Sequence, residues 1–229
     1  MKLILAPMQD VTDLAFMRTL QRIHSLPDAF ITAYFRSTAT TCALAEHNLR
    51  CIDENETGVP VLAQLAGSEA SALVRDAEML LKRPGVAGIN LNAGCPSPLV
   101  NRHGAGAGLL RDIPRFLHIM QELRACVPAG QFSVKCRLGW EHADAEFPAI
   151  LNILAAAAPD EVGIHARTRK QLYGGVPHFD YIRKAVETLP CPVLANGDIC
   201  TVQQSMSCLQ HTGAAGLMIG RGADRKSVV

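Results

Sequence analysis

The sequence predicts a single parallel (β/α)8 TIM barrel, and three observations carry that prediction. Eight short apolar runs alternate with amphipathic stretches along the 229-residue chain, which is the pattern of parallel strands covered by helices. Glycine, proline and chemically active polar residues recur just after those runs, at the strand ends where such barrels build their sites. The composition, 48% apolar and 19% charged, suits one large core, and no low-complexity or linker-like stretch divides it.

The elements follow in order. Residues 3–6 form the first strand, ended by Pro7, and Leu14, Met17, Leu20 and Ile23 recur after it at helical spacing. Residues 30–35 are the second strand. Residues 59–65 are the third, followed by Gly67-Ser68 as the cap of a helix carrying Leu73, Ala77, Leu80 and Leu81. The fourth strand, 86–92, stops at Gly94-Cys95-Pro96. A loop with Gly104, Gly106 and Gly108 leads to a helix capped by Asp112 and carrying Ile113, Phe116, Leu117, Met120 and Leu123. Strands over 132–138, 162–165, 193–196 and 215–219 alternate with helices over 147–158, 179–189 and 202–209. No apolar helix follows the eighth strand. The catalytic barrel is therefore expected over residues 1–223 without its final helix, and residues 224–229 are expected to be a non-native tail.

Charge and cysteine usage narrow the function classes. A net charge of +1 lacks the basic excess of a protein that grips nucleic acid through its whole surface. Eight cysteines contain no C-x-x-C pair, so zinc and thioredoxin-type sites are not expected. The apolar part of the N-terminus is too short for a secretory leader, and no run approaches a membrane span. These features suggest a reduced, cytoplasmic protein with no membrane or metal partner.

The residues at the strand ends are the candidates for chemistry. Cys95 follows a strand on a loop that glycine lets bend tightly; a small buried hydrophobe is the plain alternative. Asn90 and Asn92 lie two apart and share a face. Gln64, amid apolar strand residues, needs a partner, either inside the core or in a ligand. Lys135 is costly to bury unless it meets an anion, and Arg137 shares its facing. His165 reads equally as a core histidine. Arg167, Arg169 and Lys170 follow it and could serve a phosphate or an RNA backbone, or equally be a solvated loop. Asn196-Gly197-Asp198 and Gly220-Arg221-Gly222 follow the last two strands, the standard phosphate position in such barrels. No G-x-G-x-x-G fingerprint occurs in a Rossmann context, so a resident NAD domain is not expected.

These motifs, in order, resemble the tRNA-dihydrouridine synthases. The markers are Ala6-Pro7-Met8, Gln64, Asn92-x-Gly94-Cys95-Pro96, Lys135-x-Arg137-Leu138-Gly139, His165-x-Arg167-Thr168, Asn196-Gly197-Asp198 and Gly220-Arg221-Gly222. The resemblance implies FMN as cofactor, NADPH as reductant and a tRNA uridine as substrate. It implies FMN contacts at Pro7, Met8, Gln9, Gln64, Lys135, His165, Asn196, Gly197, Asp198, Gly220 and Arg221. It implies Cys95 as the acid that protonates the base, and substrate contacts at Arg36, Asn92 and Tyr173. Two departures stand out: Thr32-Ala33 replaces the family's frequent Thr-Glu, and residues 1–229 are expected to hold the barrel without the C-terminal helical tRNA-binding domain that the resemblance implies. A monomer is expected. The alternatives are an FMN-barrel oxidoreductase acting on a free pyrimidine and an inactive barrel fragment.

Overall fold

Strand and helix formers alternate as the sequence requires, and they close into a barrel. The computed structural model describes residues 1–40 and 43–224. Its strands are β1 (Lys2–Leu5), β2 (Ala29–Ile31), β3 (Phe35–Arg36), β4 (Val61–Ala66), β5 (Val86–Ala93), β6 (Phe132–Arg137), β7 (Glu161–His165), β8 (Val193–Asn196) and β9 (Gly216–Ile219). Its helices are α1 (Leu14–Arg22), α2 (Glu46–Asp53), α3 (Ala70–Leu81), α4 (Pro98–Asn101), α5 (Ile113–Cys126), α6 (Ala143–Ala157), α7 (Phe179–Thr188) and α8 (Val202–Thr212). Every strand pairing is parallel. The sheet runs β2-β1-β9-β8-β7-β6-β5-β4-β3, and β2 also pairs with β4, which closes the ring. The result is the predicted (β/α)8 TIM barrel.

Nine strands make eight staves because the second stave is broken. The expected strand over 30–35 divides into β2 and β3. At the break the Thr32 amide donates to Leu62 O at 3.0 Å, and the Thr32 hydroxyl oxygen accepts from the Gln64 amide at 3.1 Å. A side chain has replaced one backbone partner, so the ladder pauses there, and the pause turns Ala33 and Tyr34 toward the barrel mouth.

Side-chain alternation sorts the core. Ile4, Ala6, Ala29, Ile31, Leu194 and Met218 form one compact cluster, and the opposite strand faces carry a second, larger cluster with the helices. Leu73, Ala77 and Leu80 of α3 and Phe116, Met120 and Leu123 of α5 are buried as their spacing predicts. Asp112 caps α5 by accepting from the Arg115 amide at 3.1 Å.

Three expectations fail locally. Ile23, assigned to the buried face of α1, is 60% exposed, because the helix ends at Arg22 and Ile23 is its C-cap. The α3 cap is Glu69 rather than Gly67-Ser68, and it makes no side-chain capping bond. Helices α2 and α4 were not foreseen: α4 is a four-residue turn, and α2 buries the polar Asn48 beside Cys51 and Ile52, so its sequence shows no clean apolar stripe. The last described element is a 3-10 turn, Arg221–Ala223. Of the expected tail, 225–229 lies outside the described residues.

Barrel closure at the seam depends on Gly216, which pairs with both Lys2 and Leu194. A Cβ on Gly216 would lie 2.1 Å from Lys2 O. Gly216→Ala is therefore expected to lower Tm by about 5 °C or more in thermal unfolding, the cost of prying β1 from β9.

Candidate active site

The C-terminal ends of the strands surround a cavity of about 640 Å3. The sequence-predicted residues Pro7, Met8, Gln9, Gln64, Asn92, Cys95, Lys135, His165, Tyr173, Asn196, Gly197, Asp198, Gly220 and Arg221 all line it. Arg36 does not. It lies on a second cavity of about 290 Å3, and Tyr34 is common to the walls of both.

A chain of buried amides positions Cys95. Asn90 Nδ2 donates to Ser133 Oγ at 2.8 Å, Gln64 Nε2 to Asn90 Oδ1 at 2.7 Å, and Asn92 Nδ2 to Gln64 Oε1 at 2.9 Å. Asn92 Oδ1 then accepts the backbone N–H groups of Gly94 and Cys95, at 3.1 and 2.9 Å. The Cys95 carbonyl accepts from Asn101 Nδ2 at 2.8 Å and from the Ala107 amide at 3.1 Å. Both backbone groups of Cys95 are thus tied down, and its half-buried thiol is left on the cavity wall. The Gln64 side chain makes both of its bonds to neighbours on one strand, β5. At Pro7–Gln9, the Met8 amide donates to Thr12 Oγ1 at 2.9 Å, and that hydroxyl donates to Ala6 O at 3.2 Å, which folds the loop against the cavity.

The cavity is electropositive. Lys135 Nζ donates to the neutral Asn196 Oδ1 at 3.2 Å, and no carboxylate pairs with it among the described residues. Burial, reinforced by the Arg137 guanidinium, pushes the Lys135 pKa down to about 8. Asn196 is itself fixed by donating to Met218 O at 2.7 Å. His165 is held far below the usual imidazole range, first by burial and then by Arg137, Lys135, Arg167 and Arg221. It is neutral, and its buried Nδ1 has no hydrogen-bond partner among the described residues. Such a site favours an anion and offers one unspent ring nitrogen.

The other cations are occupied. Arg137, lowered to about 10 mainly by burial, donates to Gly94 O at 2.9 Å, Thr168 O at 2.9 Å and Leu172 O at 2.7 Å. It joins the Cys95 loop to the loop after β7. Of the cluster expected to serve phosphate or solvent, Arg167 does neither. It is fully buried and donates to Gly174 O, Gly175 O and the Asp198 carboxylate. Arg169 donates to Asn101 Oδ1 at 3.1 Å and stacks over Trp140, and Lys170 pairs with Glu141. Sequence adjacency misleads here because consecutive loop residues point to different neighbours.

Asp198 also accepts from Arg221, so one carboxylate bridges two guanidiniums, and those cations hold its pKa below the ordinary value against the opposing effect of burial. Tyr173, half exposed, lies under Arg221 at 4.6 Å and near Arg137 at 5.5 Å, edge-on to His165. Sequence reading missed Tyr34. Burial, then the neighbouring Cys95, raises its phenol pKa, while Arg36 opposes that rise. Its only sequence signal was a polar tip inside an apolar strand run. Among the described residues no group of three His, Cys, Asp or Glu side chains converges as a metal site, and no helix is long and apolar enough to cross a membrane.

Comparison with known proteins fits this geometry. A family model described as dihydrouridine synthase matches residues 4–228. A probable tRNA-dihydrouridine synthase of Rickettsia prowazekii is 33% identical over 96% of this chain and 66% of its own length. A tRNA-dihydrouridine(16) synthase of Neisseria meningitidis is 36% identical over 97% of this chain and 68% of its own. The chain thus spans about two thirds of these relatives. An old yellow enzyme homologue from Zymomonas mobilis superposes with a TM-score of 0.66 at 13% identity, covering 96% of this chain and 84% of that one, a likeness of fold alone.

The amide chain makes a direct prediction. Asn92→Ala strips the acceptor from two backbone N–H groups, a loss of about 2 kcal/mol or more. The variant is expected to unfold at lower temperature and to show altered alkylation kinetics at Cys95 in a thiol-labelling assay.

Proposed function

The chain belongs to the dihydrouridine synthase family, and from that premise we propose that it reduces a uridine of tRNA to 5,6-dihydrouridine, with FMN in the main cavity and NADPH as reductant. The observation that carries this reading is the meeting, on one cavity, of the Cys95 thiol, the Lys135 ammonium with no carboxylate partner among the described residues, and the Nδ1 of a neutral His165, likewise without a partner among them.

The residues present fit a flavin mononucleotide. Lys135 offers a positive charge without a carboxylate to cancel it, suited to the negative charge that a reduced isoalloxazine carries at N1–C2=O. His165 adds a ring nitrogen. Gly197, Gly220 and Arg221, at the ends of β8 and β9, stand where barrels of this type hold phosphate. Pro7, Met8, Gln9, Gln64, Asn196 and Asp198 complete the wall. When bound, FMN supplies the hydride that reaches uracil C6.

The protein's own part is to place the base and deliver a proton. A target uridine must leave its stack to enter the cavity. Tyr173, held against Arg137 and Arg221, gives it an aromatic neighbour. Asn92 has committed its oxygen and one N–H within the protein, which leaves its second N–H for the base. Cys95 donates its proton to C5, and its clamped backbone keeps the thiol on the cavity wall. The same reading makes the protein a cytoplasmic monomer whose partner is tRNA.

Cys95→Ala is expected to retain FMN, scored by the flavin absorbance of the purified protein, and to lose about 100-fold or more of tRNA reduction. Undiminished reduction in that variant removes Cys95 from its role. Turnover of free uracil or uridine with unmodified tRNA left untouched overturns the tRNA assignment. The Lys135 pKa gives a pH dependence with a definite sign. An anion against Nζ raises that pKa, so the complex binds more protons than the free site above pH 8. Affinity for reduced FMN is therefore expected to be flat just below pH 8 and to weaken as pH rises beyond it, and Lys135→Met is expected to weaken binding and flatten the profile in anaerobic titrations.

A further inference from the structure

The second cavity holds an orphan. Ser37 is 4% exposed, lines this cavity, and has a hydroxyl with no hydrogen-bond partner among the described residues. A buried hydroxyl without a partner is rare enough to ask what it awaits. Its setting answers in chemical terms. Ser37 packs directly on Gly67, where an added Cβ would lie 2.9 Å from Ser37 O and 3.1 Å from Ser37 Cβ. Gly67 and Ser68 lead into α3, a helix of twelve residues whose N-cap, Glu69, makes no side-chain capping bond. The first-turn N–H groups of α3 therefore lack a side-chain acceptor and carry the positive end of the helix dipole. Arg36, exposed and without a carboxylate partner among the described residues, stands on the same wall. Glu69 also lines the cavity, but its side chain is exposed.

An anion satisfies all of these at once: a helix N-terminus, an unspent hydroxyl and a guanidinium. Tyr34 walls both cavities, so whatever enters here adjoins the chamber of Cys95. We propose that the second cavity, formed by Ser37, Gly67-Ser68, the N-terminus of α3 and Arg36, is a phosphodiester subsite that grips the RNA backbone beside the nucleotide extruded into the main cavity. This rests on the main cavity being the uridine site. It gives an otherwise neutral chain a local hold on RNA just where the base must be drawn out.

The test uses the FMN-loaded chain and unmodified tRNA. Ser37→Ala is expected to weaken tRNA binding roughly tenfold, with Tm unchanged or raised, because an unsatisfied hydroxyl has been removed. Arg36→Gln is expected to weaken binding too and to flatten the dependence of log K on log salt by about 0.7 to 0.9. FMN content and the KM for NADPH are expected to match wild type in both. An unchanged tRNA Kd in Ser37→Ala, above all with a lowered Tm, overturns the proposal by showing that the hydroxyl serves the fold. A raised KM for NADPH with tRNA affinity intact also overturns it, since the phosphate would then be the dinucleotide's. The uridine reading fails separately, when wild-type enzyme leaves tRNA uridine unreduced. The Kd comparison still decides whether the subsite grips RNA.

Discussion

The chain of hydrogen bonds from Ser133 through Asn90 and Gln64 to Asn92 is the constraint on which the rest of the site depends. Each amide gives one N–H and accepts one or two, so the orientation of each fixes the next. The polarity set at Ser133 on β6 is passed through β5 and β4 and ends on the backbone of Cys95. Four polar side chains can be buried in a barrel mouth because each satisfies its neighbour. A single apolar replacement would leave a donor or acceptor stranded in a low-dielectric setting, where it is most costly.

Around this neutral scaffold the charges are arranged unevenly. Arg137 and Arg167 are buried and donate to loop carbonyls and, from Arg167, to Asp198, so they act as clamps between loops, although Arg167 Nη1 has no partner among the described residues. Asp198 absorbs the charge of two arginines and fixes the loop after β8 against the turn after β9. That leaves Lys135, whose ammonium meets a neutral amide and no carboxylate among the described residues, as the cation with the most to offer a ligand; His165 stays neutral first because it is buried and then because these cations surround it. The protein builds a positive field from fixed groups and leaves one ammonium, held by a neutral amide, to meet a ligand.

Much of this was legible in the chain. Eight apolar runs at regular intervals specify parallel staves, because a strand buried on both faces must be apolar throughout. The residues after those runs specify the mouth of the barrel, because every strand points the same way and every C-terminal end lands on one rim. Cys95, Lys135, His165 and the glycine loops after β8 and β9 were readable on that ground alone. The break in the second stave was not. It arises because the Thr32 hydroxyl competes with the backbone for the Gln64 amide, a contact between residues 32 apart in sequence.

The sequence by itself determined the barrel, the rim and the residue types gathered there, since periodicity and strand direction are local properties of the chain. Tertiary structure alone decided which of those residues are free to act. Arg167, Arg169 and Lys170 look alike in sequence, yet one is a buried clamp, one stacks on Trp140 and one pairs at the surface. Tyr34 showed only a polar tip inside an apolar run and Ser37 nothing that marked a site, but the fold sets one between two cavities and leaves the other's hydroxyl without a partner among the described residues. The physical reason is that a side chain's partners are set by which distant strands and loops meet it, and hydrogen bonds across a barrel mouth join residues that no local pattern links.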